Sequence, residues 1–375
     1  MISILFIVIA AVGCFYLLLA ALATPPARPP AAASAAPAVT VLKPLNGDEP
    51  QLFENLASLC LQDYAGPVQI ICGVQNPKDP AIDVVERLAA TFPGADIQLV
   101  VDRTQHGANL KVANLINMAR HVRHDCIVLA DSDIGVERNY LETLTAELAQ
   151  PGVGAVTCFY NGVGAAGFWS TLSALQVNAH FLPNALVGLR SGLARPCFGS
   201  TIALTRQVLA EIGGFEAFAD HLADDYAMGD AVRAAGLTVV TAPMLVAHNC
   251  AESSFPDLWG HELRWARTIR NVDSVGYAGL LVTHPFAWAL IAAATGAPTA
   301  GAALAGLAIA CRIMLLRTLT RTYKLASQIY WLAPVRDLLS FAVFVWSFFG
   351  ADLTWRGRSY RMQANGRLTA DERSQ

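Results

Sequence analysis

Charged residues are scarce in this sequence, and their scarcity excludes several classes of protein. Asp, Glu, Lys and Arg make up 15% of the 375 residues, whereas about a quarter is usual. The formal net charge is −3, which is too close to neutral for the basic surface of a nucleic-acid-binding protein. Hydrophobic residues reach 54%. The composition therefore predicts a soluble domain joined to membrane segments, with no nucleic-acid partner.

Paired cysteines are also missing. The eight cysteines occur singly, without a C-x-x-C pair or the Cys/His spacing of a zinc site. This distribution argues against disulfides and against a structural zinc ion. It favours buried, reduced thiols in a domain that faces the cytosol.

No Lys or Arg precedes the first apolar run, which covers residues 2–22. A secretory signal peptide would begin with basic residues and have a shorter apolar centre. The run is long enough to cross a bilayer as a helix. We therefore predict an uncleaved transmembrane anchor at 1–23 and a Pro/Ala-rich linker at 24–38. Arg28 and Lys43 then favour a cytoplasmic location for the domain that follows.

From residue 39 the sequence alternates between strand and helix patterns. Predicted strands are AVTVLKPL, VQIICGV, IQLVVD and CIVLAD, and helices are predicted at ENLASLCLQD, AIDVVERLAATF and ANLKVANLINMARHV. Further strands (GVGAVTCFY, LTVVTAPM) and helices follow after residue 151. The alternation predicts an α/β domain at 39–256, with a Rossmann-like, mostly parallel sheet covered by helices on both faces.

The remaining segments are predicted to lie at or in the membrane. FPDLWGHELRWARTIRNV has amphipathic helical spacing, which predicts an interfacial helix at 257–275. Residues 276–352 are predicted to form membrane helices, with two linked spans inside 277–316. Pro334, Arg336 and Asp337 shorten the last apolar stretch, 331–350, which favours an interfacial or re-entrant segment there. A basic cytoplasmic tail is predicted at 353–375.

Two aspartates end a run that is apolar enough to be a buried strand. The segment is CIVLADSDIG, in which one residue separates Asp131 from Asp133. Ligands of open α/β sheets bind at the carboxyl ends of strands, where two carboxylates could share Mg²⁺ or Mn²⁺ and, through it, a diphosphate. Asp is also common in turns. The pattern alone favours neither a metal site nor a plain turn.

Other polar residues are predicted at the same edge of the sheet. Asp79 follows the second strand and Asp102 the third, and helix capping is an alternative role for Asp79. Lys111 opens the third helix beside Asn109, where a cation and a helix N-terminus could both face phosphate. A solvated helix lysine is the alternative.

Two later segments carry residues suited to group transfer. In LADDYAMGD, Asp224 and Asp225 begin a helix, and a carboxylate there could act as the general base for an incoming hydroxyl or simply cap the helix. In HELRWART, Arg264 could hold a departing diphosphate and Trp265 could offer a stacking surface. The alternative is a membrane-surface helix with an interfacial Trp.

Taken in order, these segments resemble membrane-bound family 2-type glycosyltransferases. The similarity runs from about residue 40 to 361 and includes VLKPLNG, LQDY, CGVQNPKDPAIDVV, the D-S-D pattern, GGFEAFADHLADDYAMG and ELRW. More narrowly, the chain resembles the ceramide glucosyltransferase group, of family 2/21 type, and its bacterial relatives, the hopanoid biosynthesis-associated glycosyltransferases. The resemblance implies a GT-A type sheet. It also implies that Asp79 lies near the uridine, Asp131 and Asp133 at the metal and diphosphate, and that Asp225 is the base.

The resemblance extends to the Q/R-x-x-R-W signature, whose last two residues match Arg264 and Trp265. Its first position is His261 here. Histidine can donate a hydrogen bond, but its charge near neutral pH depends on its surroundings. His261 and Lys111 are predicted to contact the donor.

We therefore predict an inverting transferase that moves a sugar from a UDP-sugar donor to the hydroxyl of a membrane lipid, with Mg²⁺ or Mn²⁺ as cofactor. It would be a multi-pass protein of the bacterial inner membrane with a cytoplasmic catalytic domain. ELRWARTIR and the Ala-rich composition favour UDP-GlcNAc as donor and a hopanoid polyol, bacteriohopanetetrol, as acceptor. The alternatives are a ceramide or diacylglycerol glucosyltransferase that uses UDP-glucose and, in another class, an inactive nucleotide-sugar-binding subunit.

Overall fold

The computed structural model describes residues 2–24, 36–195, 197–326 and 328–350, together with the backbone of three short strands beyond residue 351. The chain divides into two compact units. The described part of the sheet unit comprises 36–160 and 197–251, and that of the helical unit comprises 2–24, 161–195 and 252–350. The predicted linker lies largely in 25–35, outside the described residues, and so do the side chains of the predicted tail.

The sheet unit is built on eight strands. They are β1 (Val39–Pro44), β2 (Val68–Val74), β3 (Asp96–Val101), β4 (Cys126–Ala130), β5 (Ile134–Gly135), β6 (Val153–Gly164), β7 (Thr201–Thr205) and β8 (Thr238–Cys250), in the order β3-β2-β1-β4-β7-β6-β8-β5. The pairs β2–β3, β1–β2 and β1–β4 are parallel. The pairs β4–β7, β6–β7 and β5–β8 are antiparallel. The sheet is therefore mixed.

The helices occur between and after the strands. In chain order they are α1 (Ile2–Ala23), α2 (Leu52–Cys60), α3 (Ala81–Thr91), α4 (Leu110–Ala119), α5 (Tyr140–Leu148), α6 (Phe168–Gln176), α7 (Leu182–Arg190), α8 (Arg206–Glu211), α9 (Asp224–Ala234), α10 (Phe255–Val272), α11 (Ser274–Gly279), α12 (Pro285–Ala294), α13 (Pro298–Tyr323) and α14 (Ala333–Ser347). A short π-helix, Val177–Phe181, joins α6 to α7.

Successive strand residues supply two separate cores, because side chains alternate across a sheet. Val41 and Val128 pack in one core with α2, α3 and α5. Leu42 and Leu129 pack in the other with α4, α8 and α9. Helices on both faces explain why apolar residues of these strands occur at successive positions and not only at alternate ones.

The predicted alternation of strands and helices is confirmed, but the sheet contains more antiparallel pairing than expected. Apolar periodicity reports how far a strand is buried and not the direction in which it runs. The short strand β5 and the helix α5 were not predicted from the sequence. Residues 161–195, which the sequence analysis assigned to the α/β domain, fold with the helical unit.

The helical unit packs α1 against α12 and α13. Gly13 permits close approach, since a Cβ at this position would lie 2.4 Å from the Val282 carbonyl oxygen. Gly301 does the same between α13 and α12, where a Cβ would lie 2.5 Å from Ala293 N. Small residues at helix contacts are typical of membrane helices, whose backbones approach closely.

Two helices of the described chain, α1 and α13, are long and apolar enough to cross a membrane. A third candidate is the bent pair formed by residues 274–283 and 285–294, whose halves meet at 62°. The region of the two linked spans predicted inside 277–316 contains this bent pair and α13. The predicted anchor at 1–23 coincides with α1.

Helix α14 carries two charged residues that the structure buries completely. Arg336 donates two hydrogen bonds of 2.7 Å to the carboxylate of Glu262, on α10. Asp337 Oδ1 accepts a hydrogen bond from His180 Nε2 at 2.9 Å and forms an ion pair with Arg312, whose Nε lies 2.9 Å away. Arg336 and Asp337 therefore connect α14 to α10, to α13 and to the π-helix between α6 and α7.

Candidate active site

Asp131 and Asp133 directly follow β4, at the carboxyl end of the parallel strands. Residues 131–134 form the D-S-D turn, and the Asp131 carbonyl accepts a hydrogen bond from Ile134 N. Lys111 Nζ lies 2.7 Å from Asp131 Oδ1 and 3.7 Å from Asp224 Oδ2. A lysine from α4 thus joins the strand-end acid to the acidic beginning of α9.

Asn109 places Lys111 by capping α4. Its Oδ1 accepts hydrogen bonds from Lys111 N at 2.9 Å and Val112 N at 3.1 Å. Its amide nitrogen donates to the His221 carbonyl at 2.7 Å and to Asp224 Oδ1 at 3.3 Å. One buried Asn therefore holds together the N-termini of α4 and α9, which fixes the distance between the lysine and its acidic partners.

The charges in this group shift one another's protonation. Burial raises the pKa of the Asp131 carboxyl, and the nearby Asp133 charge adds to that rise while Lys111 opposes it. Burial alone would lower the pKa of Lys111, but Asp131 and Asp224 raise it well above the ordinary value. Lys111 is therefore a permanent cation beside Asp131. The contact between Lys111 and phosphate, considered from the sequence, stays a prediction.

Asp225 lies at the beginning of α9. Its Oδ2 accepts a hydrogen bond from Gly199 N at 2.7 Å, and its Oδ1 accepts from Tyr226 N at 2.8 Å. Burial, with the neighbouring Asp224 charge, raises the pKa of Asp225 to about 6. A carboxylate with such a pKa can accept a proton near neutral pH and is still deprotonated there, which suits a general base.

Gly199 brings the backbone close to both groups. A Cβ at this position would lie 3.1 Å from Lys111 Nζ and 3.2 Å from Asp225 Oδ2. Such distances are tighter than ordinary van der Waals contact. Any side chain larger than hydrogen would press on the lysine and on the candidate base together.

His248, on β8, is a partner of Asp133 that the sequence analysis did not identify. Its Nδ1 lies 3.3 Å from Asp133 Oδ2. Burial would lower the pKa of this imidazole, but Asp133 raises it well above the ordinary value. A histidine near the end of the last predicted strand, in VAHNC, was the available signal.

The residues present fit a divalent cation that is shared with a substrate. Two carboxylates at a strand end are hard oxygen ligands. A cation there would offset both the burial and the repulsion from Asp133 that raise the pKa of Asp131. Within the described residues, no group of three or more His, Cys, Asp or Glu side chains could enclose an ion. Mg²⁺ commonly binds through one or two carboxylates together with substrate phosphates. Asp131 and Asp133 suit that mode of binding.

Asp79 is held by bonds of its own. Its Oδ1 accepts hydrogen bonds from Gly47 N and Ala81 N, each at 2.9 Å. The carboxylate therefore caps α3 and fixes the loop after β1, which is the capping role considered from the sequence. Asp102 likewise binds locally, accepting from the backbone and hydroxyl of Thr104. Asp79 lies near the same edge of the sheet, since β1 is the neighbour of β4.

The R-W residues belong to the helical unit. His261 Nδ1 contacts Glu252 Oε1, and its ring meets that of Trp265 edge-on, with centroids 4.5 Å apart. Burial would raise the pKa of Glu252, but the bond from His261 holds it below the usual range. Arg264 and Trp265 are half-buried on α10. A carboxylate paired with His261 was not expected from the sequence.

The sheet unit has the fold of GT-A type glycosyltransferases, which confirms the predicted fold class. Over 92% of this chain and 99% of the other, the structure is similar, with a TM-score of 0.53 and 22% identity, to a mannosyltransferase from Pyrobaculum calidifontis in complex with GDP-Man and Mn²⁺. The chain belongs to glycosyl transferase family 21, whose family model matches residues 5–368.

Curated relatives of the chain are ceramide glucosyltransferases. Ceramide glucosyltransferase 1 of Caenorhabditis elegans is 24% identical over 232 residues, which are 62% of this chain and 49% of that protein. The ceramide glucosyltransferase of Candida albicans is 29% identical over 121 residues, which are 29% of this chain and 22% of that protein. The matches thus span about half the length of the first relative and less of the second.

Proposed function

We propose that this protein transfers a sugar from a UDP-sugar to the hydroxyl of a membrane lipid, with inversion at the anomeric carbon. The environment of the Asp225 carboxylate is the observation that supports this proposal. Its carboxylate is held by two backbone N–H groups, has a pKa raised to about 6, and shares the vicinity of Lys111 with the strand-end Asp131. A candidate base and a candidate diphosphate site therefore occur in one cluster of the sheet unit.

The proposed reaction needs a base on one side of the sugar and positive charge on the other. Asp225 takes the proton of the acceptor hydroxyl, whose oxygen forms a bond to the anomeric carbon. The bond from that carbon to the diphosphate breaks, and its electron pair leaves with UDP. Asp131 and Asp133 would hold Mg²⁺ or Mn²⁺, which would neutralise charge on the departing diphosphate.

Other residues would bind the donor and the leaving group. Lys111 favours the ionised form of Asp131 and would add positive charge at the diphosphate, and Asp79 would lie near the uridine. From the family signature, Arg264 would bind the departing diphosphate and Trp265 would offer a stacking surface. His261, whose Nδ1 contacts Glu252 Oε1, would act as a hydrogen-bond donor in the place of Gln or Arg in the signature.

The preferred donor and acceptor follow from the relatives. Because the curated relatives are ceramide glucosyltransferases, we place UDP-glucose and a ceramide-like lipid first. The transfer of N-acetylglucosamine to a hopanoid polyol, favoured from the sequence, becomes the second candidate. Helices α1 and α13, both apolar enough to cross a bilayer, support a multi-pass protein of the inner membrane. In that arrangement, the sheet unit would face the cytoplasm.

The experiment is a UDP-release assay on the full chain in detergent or nanodiscs. UDP-glucose and UDP-GlcNAc are each supplied with ceramide, diacylglycerol or bacteriohopanetetrol, and the lipid products are identified by mass spectrometry. We expect lipid-dependent UDP release that EDTA abolishes and Mn²⁺ or Mg²⁺ restores. Binding of UDP-sugar without release, with every acceptor, would instead support an inactive nucleotide-sugar-binding subunit.

A further inference from the structure

A buried lysine holds both ends of the D-S-D turn. Lys43 Nζ, on the central strand β1, donates hydrogen bonds to the carbonyl oxygens of Asp131 at 2.6 Å and Ile134 at 3.0 Å. The side chain of Lys43 is fully buried. Lysine is almost never fully buried unless it is paired, so this placement is costly, and the turn supplies the acceptors that compensate it.

The two middle carbonyls of the turn are held by buried asparagines. Asn55 Nδ2 donates to the Ser132 carbonyl at 3.1 Å, and Asn249 N donates to the Asp133 carbonyl at 2.9 Å. Asn249 Nδ2 also donates to Asn55 Oδ1 at 2.6 Å. Together with Lys43, these groups bind all four consecutive carbonyls of the D-S-D turn.

This arrangement exceeds what a plain turn needs. A turn after a strand satisfies its polar groups locally or with water. In this turn the buried Nζ of Lys43 instead reaches from β1 to the carbonyl oxygens at both ends. The lysine therefore fixes the backbone that carries the two carboxylates. The backbone carbonyls of Asp131 and Asp133 each accept a hydrogen bond, from Lys43 Nζ and Asn249 N respectively.

We propose that Lys43 and Asn55 are positioning residues, which hold the D-S-D turn so that its two carboxylates point at one shared cation and diphosphate. The inference rests on the proposed function. Neither residue touches the substrate in this scheme, and both act through the backbone of the turn. Groups that orient metal ligands typically contribute 10–100-fold to metal affinity.

The test measures Mn²⁺-dependent binding of UDP to the full chain by calorimetry, with the Mn²⁺ concentration varied. Lys43→Met removes both outer bonds, and Asn55→Leu removes the bond to Ser132 without adding charge. We expect the Mn²⁺ concentration for half-maximal UDP binding to rise at least about tenfold in each variant. Excess Mn²⁺ should restore UDP binding, which a purely structural role for these residues would not predict.

Gln62→Ala is the matched control. Gln62 Nε2 donates to the Glu137 carbonyl at 2.8 Å, and its Oε1 accepts from Leu141 N at 3.0 Å. It therefore holds the neighbouring loop by the same kind of bond without contacting the D-S-D turn. We expect its Mn²⁺ midpoint to match that of the wild type.

The outcomes separate the two proposals. If the wild type binds UDP with Mn²⁺ and the folded Asn55→Leu variant has the same Mn²⁺ midpoint, the positioning role is wrong and the proposed function stands. If the wild type shows no Mn²⁺-dependent UDP binding, the proposed function fails and the inference fails with it. Should Lys43→Met not fold, Asn55→Leu alone decides.

Discussion

Replacing Asp225 with Asn separates the chemical role of the carboxylate from its structural role. Asn keeps the size of the side chain and one oxygen that can accept a bond from Gly199 N or Tyr226 N, but it cannot take up the acceptor's proton. General-base catalysis contributes about 10²–10⁴-fold to a rate. We therefore expect kcat of Asp225→Asn to fall at least about 100-fold, with UDP affinity almost unchanged.

The stability of this variant should differ little from that of the wild type. Burial, with Asp224, raises the pKa of Asp225 from 3.8 to about 6, a difference of about two units or about 3 kcal/mol. Because the folded-state pKa is the higher one, this contribution stabilises the fold below about pH 4 and is lost as the pH rises to about 6. Asn avoids that cost at neutral pH, but its single oxygen leaves one of the two backbone N–H groups without an acceptor, which costs about 1–3 kcal/mol. The two terms nearly cancel.

Three measurements test this reasoning: UDP release, UDP binding by calorimetry, and thermal unfolding in detergent. The kcat/KM of the wild type should fall about tenfold per pH unit below about pH 6, because the protonated base is inactive. The residual activity of Asp225→Asn should lack this acid limb. Normal turnover by the variant would remove Asp225 from the role of base. A large fall in its unfolding temperature would show that the carboxylate is chiefly structural.

Two further substitutions test the surroundings of the site and the helical unit. Gly199→Ala places a Cβ 3.1 Å from Lys111 Nζ, so we expect its kcat to fall about tenfold. Gly94→Ala is the control, because no atom lies within 4 Å of the added Cβ, and its kcat should not change. Equal kcat values for the two variants would contradict the crowding argument. Glu262→Gln leaves the fully buried Arg336 without a charged partner. The free energy of unfolding, measured by denaturant titration, should therefore fall by about 3–5 kcal/mol. A change below about 1 kcal/mol would refute the idea that Glu262 compensates the buried charge of Arg336.

The parallel half of the sheet was predictable because its strands are rich in Val, Ile and Leu and alternate with helices of regular spacing. The antiparallel half was less accessible. A strand of two residues such as β5 has no periodicity to detect, and it exists because it pairs with β8. Helix α5 buries Tyr140 and Leu141 in the first core, and this tertiary packing has no counterpart in the local sequence pattern.

In the candidate site, the sequence likewise identified individual residues but not the contacts between them. The sequence identified Asp131, Asp133 and Asp225 from their positions at the ends of predicted elements. It did not identify the connection through Lys111, because an ion pair between elements far apart in the chain has no sequence spacing of its own. Lys43 was interpreted only as a charge after the anchor, although the structure buries it beneath the D-S-D turn.

Arg336 and Asp337 show why the burial of a charge cannot be predicted from the apolar segment that carries it. From the sequence, Pro334 and these two charges shorten the apolar stretch at 331–350 and favour an interfacial or re-entrant segment, since an isolated charge in hydrocarbon is costly. In the structure each charge has an opposite partner within 3 Å, Glu262 for the arginine and Arg312 for the aspartate. The cost of burial therefore depends on residues 25 or more positions away in the chain, which no window of hydropathy includes. Whether such a segment can lie within a membrane is decided by those partners and by the helices that carry them.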